Sequence, residues 1–248
     1  MYLFRSALRP VSGAPVDLAF TDRLGGVSAA PFDQLNLSVS GDDDESAKAE
    51  NHRLLLADFA PGAGLADLYQ VHGREVAVVG PEAAGAWRRP HADGIVTTAH
   101  DVVLMVRAAD CVPVLLADAE AGVVGAAHAG RQGMVLGVVT ATVERMRASG
   151  ARAITGWIGP SICGSCYEVP ADLRDEVAAV EPASAATTSW GTPALDVAAG
   201  VRAQLDRAGV AVQDVGACTR ERQDLYSYRR DAAAAGRQAA VIRLRGAA

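Results

Sequence analysis

Short apolar runs fill the middle of the chain, and segments with helical apolar spacing flank them. Runs of about four to eight residues that are rich in β-branched and aliphatic side chains are typical of buried strands. Such runs occupy residues 75–79, 94–97, 102–107, 112–117, 122–127, 154–158 and 238–244, with a further run near 210–218. The pattern therefore predicts a β-rich centre.

Four other segments are predicted helices, at residues 47–59, 134–149, 172–180 and 196–208, and the apolar residues of 134–149 recur at helical spacing. Gly150 and Gly209 follow two of these segments, where glycine commonly ends a helix, and Asp196 is a candidate N-cap. Helices that flank a β-rich centre without strict β-α-β alternation predict a layered α+β domain. We expect one such domain over residues 1–248.

Composition and charge narrow the possible functions. The 248 residues are 50% hydrophobic and carry a net charge of −6, which argues against nucleic acid or an anionic membrane as the main partner. No apolar run approaches the ~20 residues of a membrane span, and the N-terminus lacks the pattern of an export signal. Four cysteines in such a chain favour chemistry or core packing over disulfides. We expect a cytoplasmic protein with no nucleic acid, no membrane and no obligate protein partner.

Three segments carry the candidate chemistry, each in a β-rich context. They are Gln70-Val-His-Gly, Ala109-Asp-Cys-Val-Pro-Val and Ala127-His-Ala-Gly. His72, Cys111 and His128 match the ligand set of a catalytic zinc ion with an open fourth position. Their intervals of 39 and 17 residues exclude a compact zinc finger and indicate a site assembled by the fold.

Two local expectations follow from these segments. A strand through residues 70–72 would point Gln70 and His72 to one face of a sheet. Pro113 predicts that the following strand lies at a sheet edge or contains a bulge, because proline cannot donate a ladder hydrogen bond.

Arginine-containing segments are candidates for phosphate binding. Arg131 follows His128 in a glycine-containing strand-to-helix turn, where free N–H groups and a guanidinium could bind an anion. The run Tyr226-Ser-Tyr-Arg-Arg-Asp fits a solvated face, or equally a surface that stacks a base and holds a phosphate through Arg229.

The pair Cys163-Gly-Ser-Cys166 resembles a thioredoxin or zinc-ribbon motif. A second CxxC and the thioredoxin βαβ context are both missing from the sequence. We therefore expect a loop that borders the site and no redox or metal function for this pair.

These motifs, in this order, resemble one family that spans nearly the whole chain. The family is known as the peptidoglycan editing factor family, the multicopper polyphenol oxidase (laccase-type) domain and the laccase-domain purine nucleoside phosphorylases. Further motifs that carry the resemblance are Phe20-Thr-Asp-Arg-Leu-Gly-Gly-Val-Ser, Leu35-Asn-Leu, Ala92-Asp-Gly, Gly159-Pro-Ser-Ile, Cys166-Tyr-Glu-Val and Cys218-Thr. The resemblance implies a layered α/β/β/α sandwich similar to the catalytic domain of cytotoxic necrotizing factor deamidases.

The resemblance also implies a zinc ion on His72, Cys111 and His128. Implied activities are phosphorolysis of adenosine, inosine, guanosine and methylthioadenosine, together with adenosine deamination; some bacterial members have an editing role on muropeptide precursors. We would place phosphate near Arg23, Arg131 and Arg229, with Gln70 and Asp93 positioning the substrate. The family usually has His-Ala-Gly-Trp-Arg-Gly, whereas this chain has His128-Ala-Gly-Arg-Gln-Gly, so the arginine has moved by one position.

Three alternatives to a zinc-dependent purine nucleoside phosphorylase stay open. One is a cysteine-dependent amidohydrolase acting on muropeptide precursors, with Cys111 as nucleophile, His128 as base and Asp110 or Gln70 as helper. Another is a copper polyphenol oxidase, which needs many more imidazoles than five histidines supply. The last is a metal-stabilised binding protein without turnover.

Overall fold

The computed structural model describes residues 1–80 and 87–246 of the chain. The strands are β1 (Tyr2–Leu8), β2 (Val16–Thr21), β3 (Gly64–Ala66), β4 (Val76–Val79), β5 (Gly94–Thr97), β6 (Val102–Ala108), β7 (Val112–Asp118), β8 (Val123–Ala129), β9 (Thr155–Ile158), β10 (Ala185–Thr187), β11 (Pro193–Leu195), β12 (Ala211–Asp214) and β13 (Gln238–Leu244). The α-helices are α1 (Glu45–Phe59), α2 (Arg131–Leu136), α3 (Val138–Ala148), α4 (Ala171–Val180), α5 (Val197–Arg207) and α6 (Tyr228–Asp231).

Two mixed sheets form the centre of the molecule. One has the strand order β1-β2-β13-β6-β3, and the other has the order β12-β9-β7-β8-β5-β4. A short hairpin of β10 and β11 forms a third, two-stranded sheet.

Alternation along the strands divides the core into three layers. On β6, Leu104 faces the apolar layer between the two sheets, whereas Met105 faces outward towards α1. Leu55 and Phe59 of α1 pack in that outer layer. On the far side, α3 and α5 cover the six-stranded sheet in a layer that includes Val143. The predicted α/β/β/α layering is confirmed, because each sheet has one face on its partner and one face on helices.

Local capping and backbone chemistry explain the helix bounds. The Asp44 side chain accepts a hydrogen bond from the Ala47 N–H at 2.9 Å and begins α1. Asp196 caps α5 in the same way, as predicted, by accepting from the Ala199 N–H. The helix predicted over residues 134–149 is two helices, because Gly137 has φ 81° and interrupts the helical backbone.

Two local predictions are wrong. Residues 70–72 do not form a strand, since His72 has φ 59° and lies in a bend. Pro113 is in a central strand, because β7 pairs with β8 on one side and β9 on the other. Its missing N–H is tolerated at the second residue of β7, before the pairing with β9 begins at Val114.

The sheet topology gathers the candidate residues at one end of the six-stranded sheet. Asp93 directly precedes β5, Cys111 directly precedes β7, and His128 is the penultimate residue of β8. Because β8 runs antiparallel to both neighbours, Gly94 lies opposite Ala127 and the start of β7 lies opposite the end of β8. Within the described ranges, no helix combines the length and the apolar character that crossing a membrane requires.

Candidate metal centre and substrate cavity

Three side chains that the sequence singled out converge at this end of the sheet. One ligand atom from each of His72, Cys111 and His128 lies within 4.8 Å of the others. The Cys111 Sγ is 3.7 Å from the His72 Nε2, and the two imidazole rings meet edge to face with centroids 4.9 Å apart. A soft thiolate and two imidazoles therefore face a common point.

Asp93 orients the His128 imidazole and anchors the backbone that carries His72. Its Oδ1 lies 2.8 Å from the His128 Nδ1, which holds a proton on Nδ1 and makes Nε2 the atom available as a metal ligand. The same carboxylate accepts hydrogen bonds from the backbone N–H groups of Val71, His72 and Gly73. Asp93 is fully buried, and these contacts position the His128 side chain and the segment that carries His72; its role towards a substrate stays a prediction.

Asp110 anchors the backbone that carries Cys111. It has φ 91°, a conformation that costs about 1–3 kcal/mol in a non-glycine residue. Its side chain accepts from the Thr219 hydroxyl and the Arg229 N–H, both at 2.6 Å, and its carbonyl accepts from the Ile162 N–H. These three bonds hold the strained residue in place.

Glycine is required at residue 130 for the ligands to approach one another. A Cβ built on Gly130 would lie 2.6 Å from the His72 Cδ2 and 3.0 Å from the Cys111 Sγ. Any side chain at this position would push the two ligands away.

Cys111 and His128 form an ion pair when no metal is bound. Burial alone would raise the pKa of Cys111, but the charge of His128 and hydrogen bonds from both histidines outweigh it and lower the pKa to about 6. Burial alone would lower the pKa of His128, but the Cys111 thiolate and Asp93 raise it to about 9. At neutral pH the pair is therefore a thiolate and an imidazolium.

The donor set fits a metal ion. Cys Sγ and His Nε2 are ligands that Zn²⁺ prefers, and three protein ligands leave the fourth position open, as in catalytic zinc sites. A carboxylate on the second nitrogen of a ligand histidine is the usual supporting contact in such sites. The open side of the cluster faces a cavity.

The cavity has a volume of about 550 Å³, within the range of about 300–1,000 Å³ that is typical of small-molecule sites. Its aromatic lining residues are Tyr69, Tyr167 and Tyr228. Its charged lining residues are Arg107, Arg131, Arg229, Arg237 and Asp110. Four arginines against one carboxylate favour an anionic ligand, although the whole chain has a net charge of −6.

Two of the predicted substrate residues have other partners. Gln70 lines the cavity, but its side-chain amide exchanges hydrogen bonds of 2.7 and 2.8 Å with the Arg107 backbone. Arg23 lies outside the cavity lining: its Nε donates to the Asp33 carbonyl at 2.6 Å and its guanidinium stacks on Tyr226. The structure therefore assigns Arg23 a role in holding its own loop.

The other two predicted arginines line the cavity. Arg131 occupies the cavity-facing position of its turn, whereas Gln132 is exposed. Arg229 stacks on the Tyr167 ring at 4.8 Å and donates to the Glu168 carbonyl at 2.8 Å.

Two cavity arginines were not found from the sequence. Arg237 precedes the last strand, and Arg107 lies inside an apolar strand with only 4% exposure. Arg107 pairs with Asp67 at 2.5 Å, and its Nη1 has no hydrogen-bond partner among the described residues. The sequence did contain one sign of Arg107, because a charged residue within the apolar run at 102–107 is unusual in a buried strand.

Comparisons with known proteins cover almost the whole chain. A purine nucleoside phosphorylase of Streptomyces griseus is 51% identical over 227 residues, covering 90% of this chain and 92% of its own. A purine nucleoside phosphorylase of Mycobacterium tuberculosis is 45% identical over 226 residues, covering 90% of this chain and 89% of its own.

Solved structures agree with these sequence matches. The Neisseria meningitidis protein NMB0706 is 32% identical with a TM-score of 0.84 and covers 98% of this chain and 99% of its own. YlmD from Geobacillus stearothermophilus is 29% identical with a TM-score of 0.85 and covers 99% and 100%. The model of the protein family described as multi-copper polyphenol oxidoreductase laccase matches residues 17–245 of this chain. The chain therefore belongs to this laccase-type family.

Proposed function

We propose that this protein is a zinc-dependent purine nucleoside phosphorylase that also deaminates adenosine. The observation that carries the proposal is the three-ligand cluster of His72, Cys111 and His128 at the wall of an arginine-rich cavity. Relatives at 45–51% identity that are named purine nucleoside phosphorylases support it. The proposed substrates are adenosine, inosine, guanosine and methylthioadenosine, with phosphate as the second substrate.

His72, Cys111 and His128 would hold the ion. When bound, zinc supplies a Lewis acid and an activated water. Asp93 keeps the proton of His128 on Nδ1, so that Nε2 stays available as a ligand.

In phosphorolysis the C1′–N bond breaks, a C1′–O bond to phosphate forms, and the base leaves with the bonding electron pair and takes up a proton. Arg131, Arg229 and Arg237 would bind and orient the phosphate, because guanidinium–phosphate hydrogen bonds are charge-assisted. The rings of Tyr167 and Tyr228 would stack on the purine. Arg107 is too buried to contact phosphate freely and would add to the positive potential.

One geometric feature favours a second function. In space, Cys111 lies beside His128 and His128 lies beside Asp93, which is the arrangement of a nucleophile, a base and a carboxylate that orients the base. This arrangement would suit a cysteine-dependent amidohydrolase acting on a muropeptide. The helper would then be Asp93, since Asp110 and Gln70 are bound to other partners.

The deciding experiment is chromatography of adenosine and inosine incubated with zinc-assayed protein, with and without phosphate. The proposal predicts that free base and ribose-1-phosphate form only with phosphate, and that inosine forms from adenosine without it. Cys111→Ala should lose the zinc ion of the three-ligand site together with both activities, and turnover that survives in this variant would contradict the zinc mechanism.

His72→Ala gives a second test, because His72 is exposed and its removal leaves the core intact. We expect it to lose the zinc ion of the three-ligand site, while the matched variant His100→Ala, also at an exposed histidine, keeps that zinc ion and the activity. If the chelator-treated, metal-free protein hydrolyses a muropeptide amide while nucleosides stay unchanged, the amidohydrolase is the correct assignment.

A further inference from the structure

A second cluster of metal-ligand side chains lies apart from the three-ligand site. Ligand atoms of Cys163, Cys166, Cys218 and Glu221 all lie within 4.8 Å of one another. The Cys166 Sγ donates to the Glu221 Oε1 at 3.3 Å, and all three cysteines are free thiols. The sequence predicted no metal function for the CxxC pair, because it gave no sign that Cys218 and Glu221 would join it.

Backbone pairing brings the two halves of this cluster together. Ser161 and Cys218 form a parallel bridge, in which the Ser161 N–H donates to the Ala217 carbonyl at 3.1 Å. The Thr219 N–H donates back to the Ser161 carbonyl at 3.0 Å. The CxxC segment and the segment with Cys218 are therefore fixed side by side without any help from the thiols.

The CxxC turn is itself rigid. The N–H groups of Cys166 and Tyr167 both donate to the Cys163 carbonyl at 3.0 Å. A Cβ on Gly164 would lie 2.9 Å from the Cβ of Asp196 and 3.0 Å from that of Ala186. Only glycine allows this close approach, so the turn presents both thiols in one arrangement.

The segment that carries Cys218 and Glu221 is held from its other side by Arg230. The Arg230 Nη1 donates to the carbonyls of Thr219, Arg220 and Arg222 at 2.9–3.3 Å. Its Nη2 donates to the Leu225 carbonyl at 2.7 Å. All four ligand candidates thus project from preorganised backbone.

We propose that Cys163, Cys166, Cys218 and Glu221 bind a structural zinc ion. Three thiolates favour zinc over magnesium or calcium, which prefer oxygen ligands. Four protein ligands complete a tetrahedral shell, which is the mark of a structural site, whereas the first cluster offers three and leaves a position open. This inference does not depend on the proposed enzymatic function.

The ion would stabilise the wall of the substrate cavity. Ile162 and Tyr167, which flank the cluster in sequence, both line the cavity. The Ile162 N–H and the Thr219 hydroxyl both bind Asp110, the residue that positions Cys111. A zinc ion at the cluster would therefore hold the contacts behind Cys111 in place.

The test counts metal in the reduced full-length protein and in variants that isolate each cluster. After loading with Zn²⁺ and removal of the excess, mass spectrometric metal analysis should find two zinc ions per chain in the wild type. Cys111→Ala should retain one, and Cys111→Ala combined with Cys166→Ser should retain none. In the Cys111→Ala background, Co²⁺ should give the charge-transfer absorption of several thiolates.

Glu221→Gln is a second test in case Cys166→Ser prevents folding. Glu221 is exposed, so its substitution leaves the core intact. In the Cys111→Ala background it should weaken zinc binding and reduce the zinc-dependent rise in melting temperature. The matched control is Glu176→Gln, which removes an exposed carboxylate on α4. It should change neither zinc binding nor the zinc-dependent rise in melting temperature.

Two results would overturn the proposal. One is a reduced Cys111→Ala protein that binds no Zn²⁺ or Co²⁺, or binds them equally well after Cys166→Ser. The other is a disulfide among the three cysteines in the isolated protein with no metal uptake after reduction, which would identify a redox pair.

Discussion

At the scale of single residues, Gly130 restricts the geometry of the three-ligand site as strictly as the three ligand residues do. A Cβ atom built on Gly130 would lie 2.6 Å from the His72 Cδ2 and 3.0 Å from the Cys111 Sγ. Heavy atoms that close must separate, and a metal site tolerates only a few tenths of an ångström in its ligand positions.

We therefore expect Gly130→Ala to lose zinc from the three-ligand site while the protein stays folded. Gly73→Ala is the matched control, because Gly73 also neighbours a ligand but its Cβ would meet nothing closer than 3.5 Å. Metal analysis and circular dichroism of both variants in the Cys166→Ser background check this prediction. Equal zinc content in the two variants would contradict it.

Residue identity alone predicted the three residues that converge at the site better than it predicted their supporting contacts. His72, Cys111 and His128 were found because each residue type has its own chemistry and lies in a β-rich context. The role of Asp93 could not be found in this way, because its four donors come from residues 71–73 and from His128 on a different strand.

At the scale of elements, one carboxylate joins the end of β7 to the segment before β9. Asp118 accepts from the Ala121 N–H with one oxygen and from the Arg152 and Ala153 N–H groups with the other, at 2.7–3.0 Å. Burial alone would raise the pKa of Asp118, but these backbone donors outweigh it and hold the pKa below its ordinary value. The ionised form therefore stabilises the folded state.

Asp118→Asn should lower the free energy of unfolding by about 1–3 kcal/mol at pH 6, because an amide NH₂ then faces buried N–H donors. The contribution of Asp118 is present above its unfolded pKa of ~3.9 and is lost as pH falls through the lower folded value. Urea unfolding at about pH 6 and pH 3 should thus show the difference from wild type shrinking in acid. A difference that does not change with pH would refute the role of the charge.

Apolar patterning predicted most of the central strands but missed β1 and also β2, although β2 is fully buried and pairs with a strand on each side. The run at 94–97 matches β5 and the run at 238–244 matches β13, because both are fully or almost fully buried. β1 was missed since its residues are only partly buried and their pattern is mixed. The break at Gly137 was missed because a local change of φ leaves the helical apolar spacing on either side intact.

At the scale of the whole molecule, charge is distributed unevenly. The chain has a net charge of −6, yet the described cavity lining contains four arginines and one carboxylate. A positive cavity in a negative protein concentrates small anions at the site and repels larger polyanions elsewhere on the surface. Net charge alone could not indicate this arginine-rich cavity, because its arginines come from separate parts of the chain.

Arg131 gives the most direct test of this charge distribution. It lines the cavity from the position where the family usually has tryptophan, so its guanidinium should contact phosphate. Arg131→Gln should raise the dissociation constant of inorganic phosphate by ~10-fold or more, since a hydrogen bond to a charged group contributes about 1.5–3 kcal/mol. Arg145→Gln makes the same change in net charge at an exposed position on α3 and should have little effect. Titration calorimetry with phosphate alone makes the comparison independent of turnover. Equal phosphate affinity in the two variants would mean that Arg131 acts only through the overall field and not by contact.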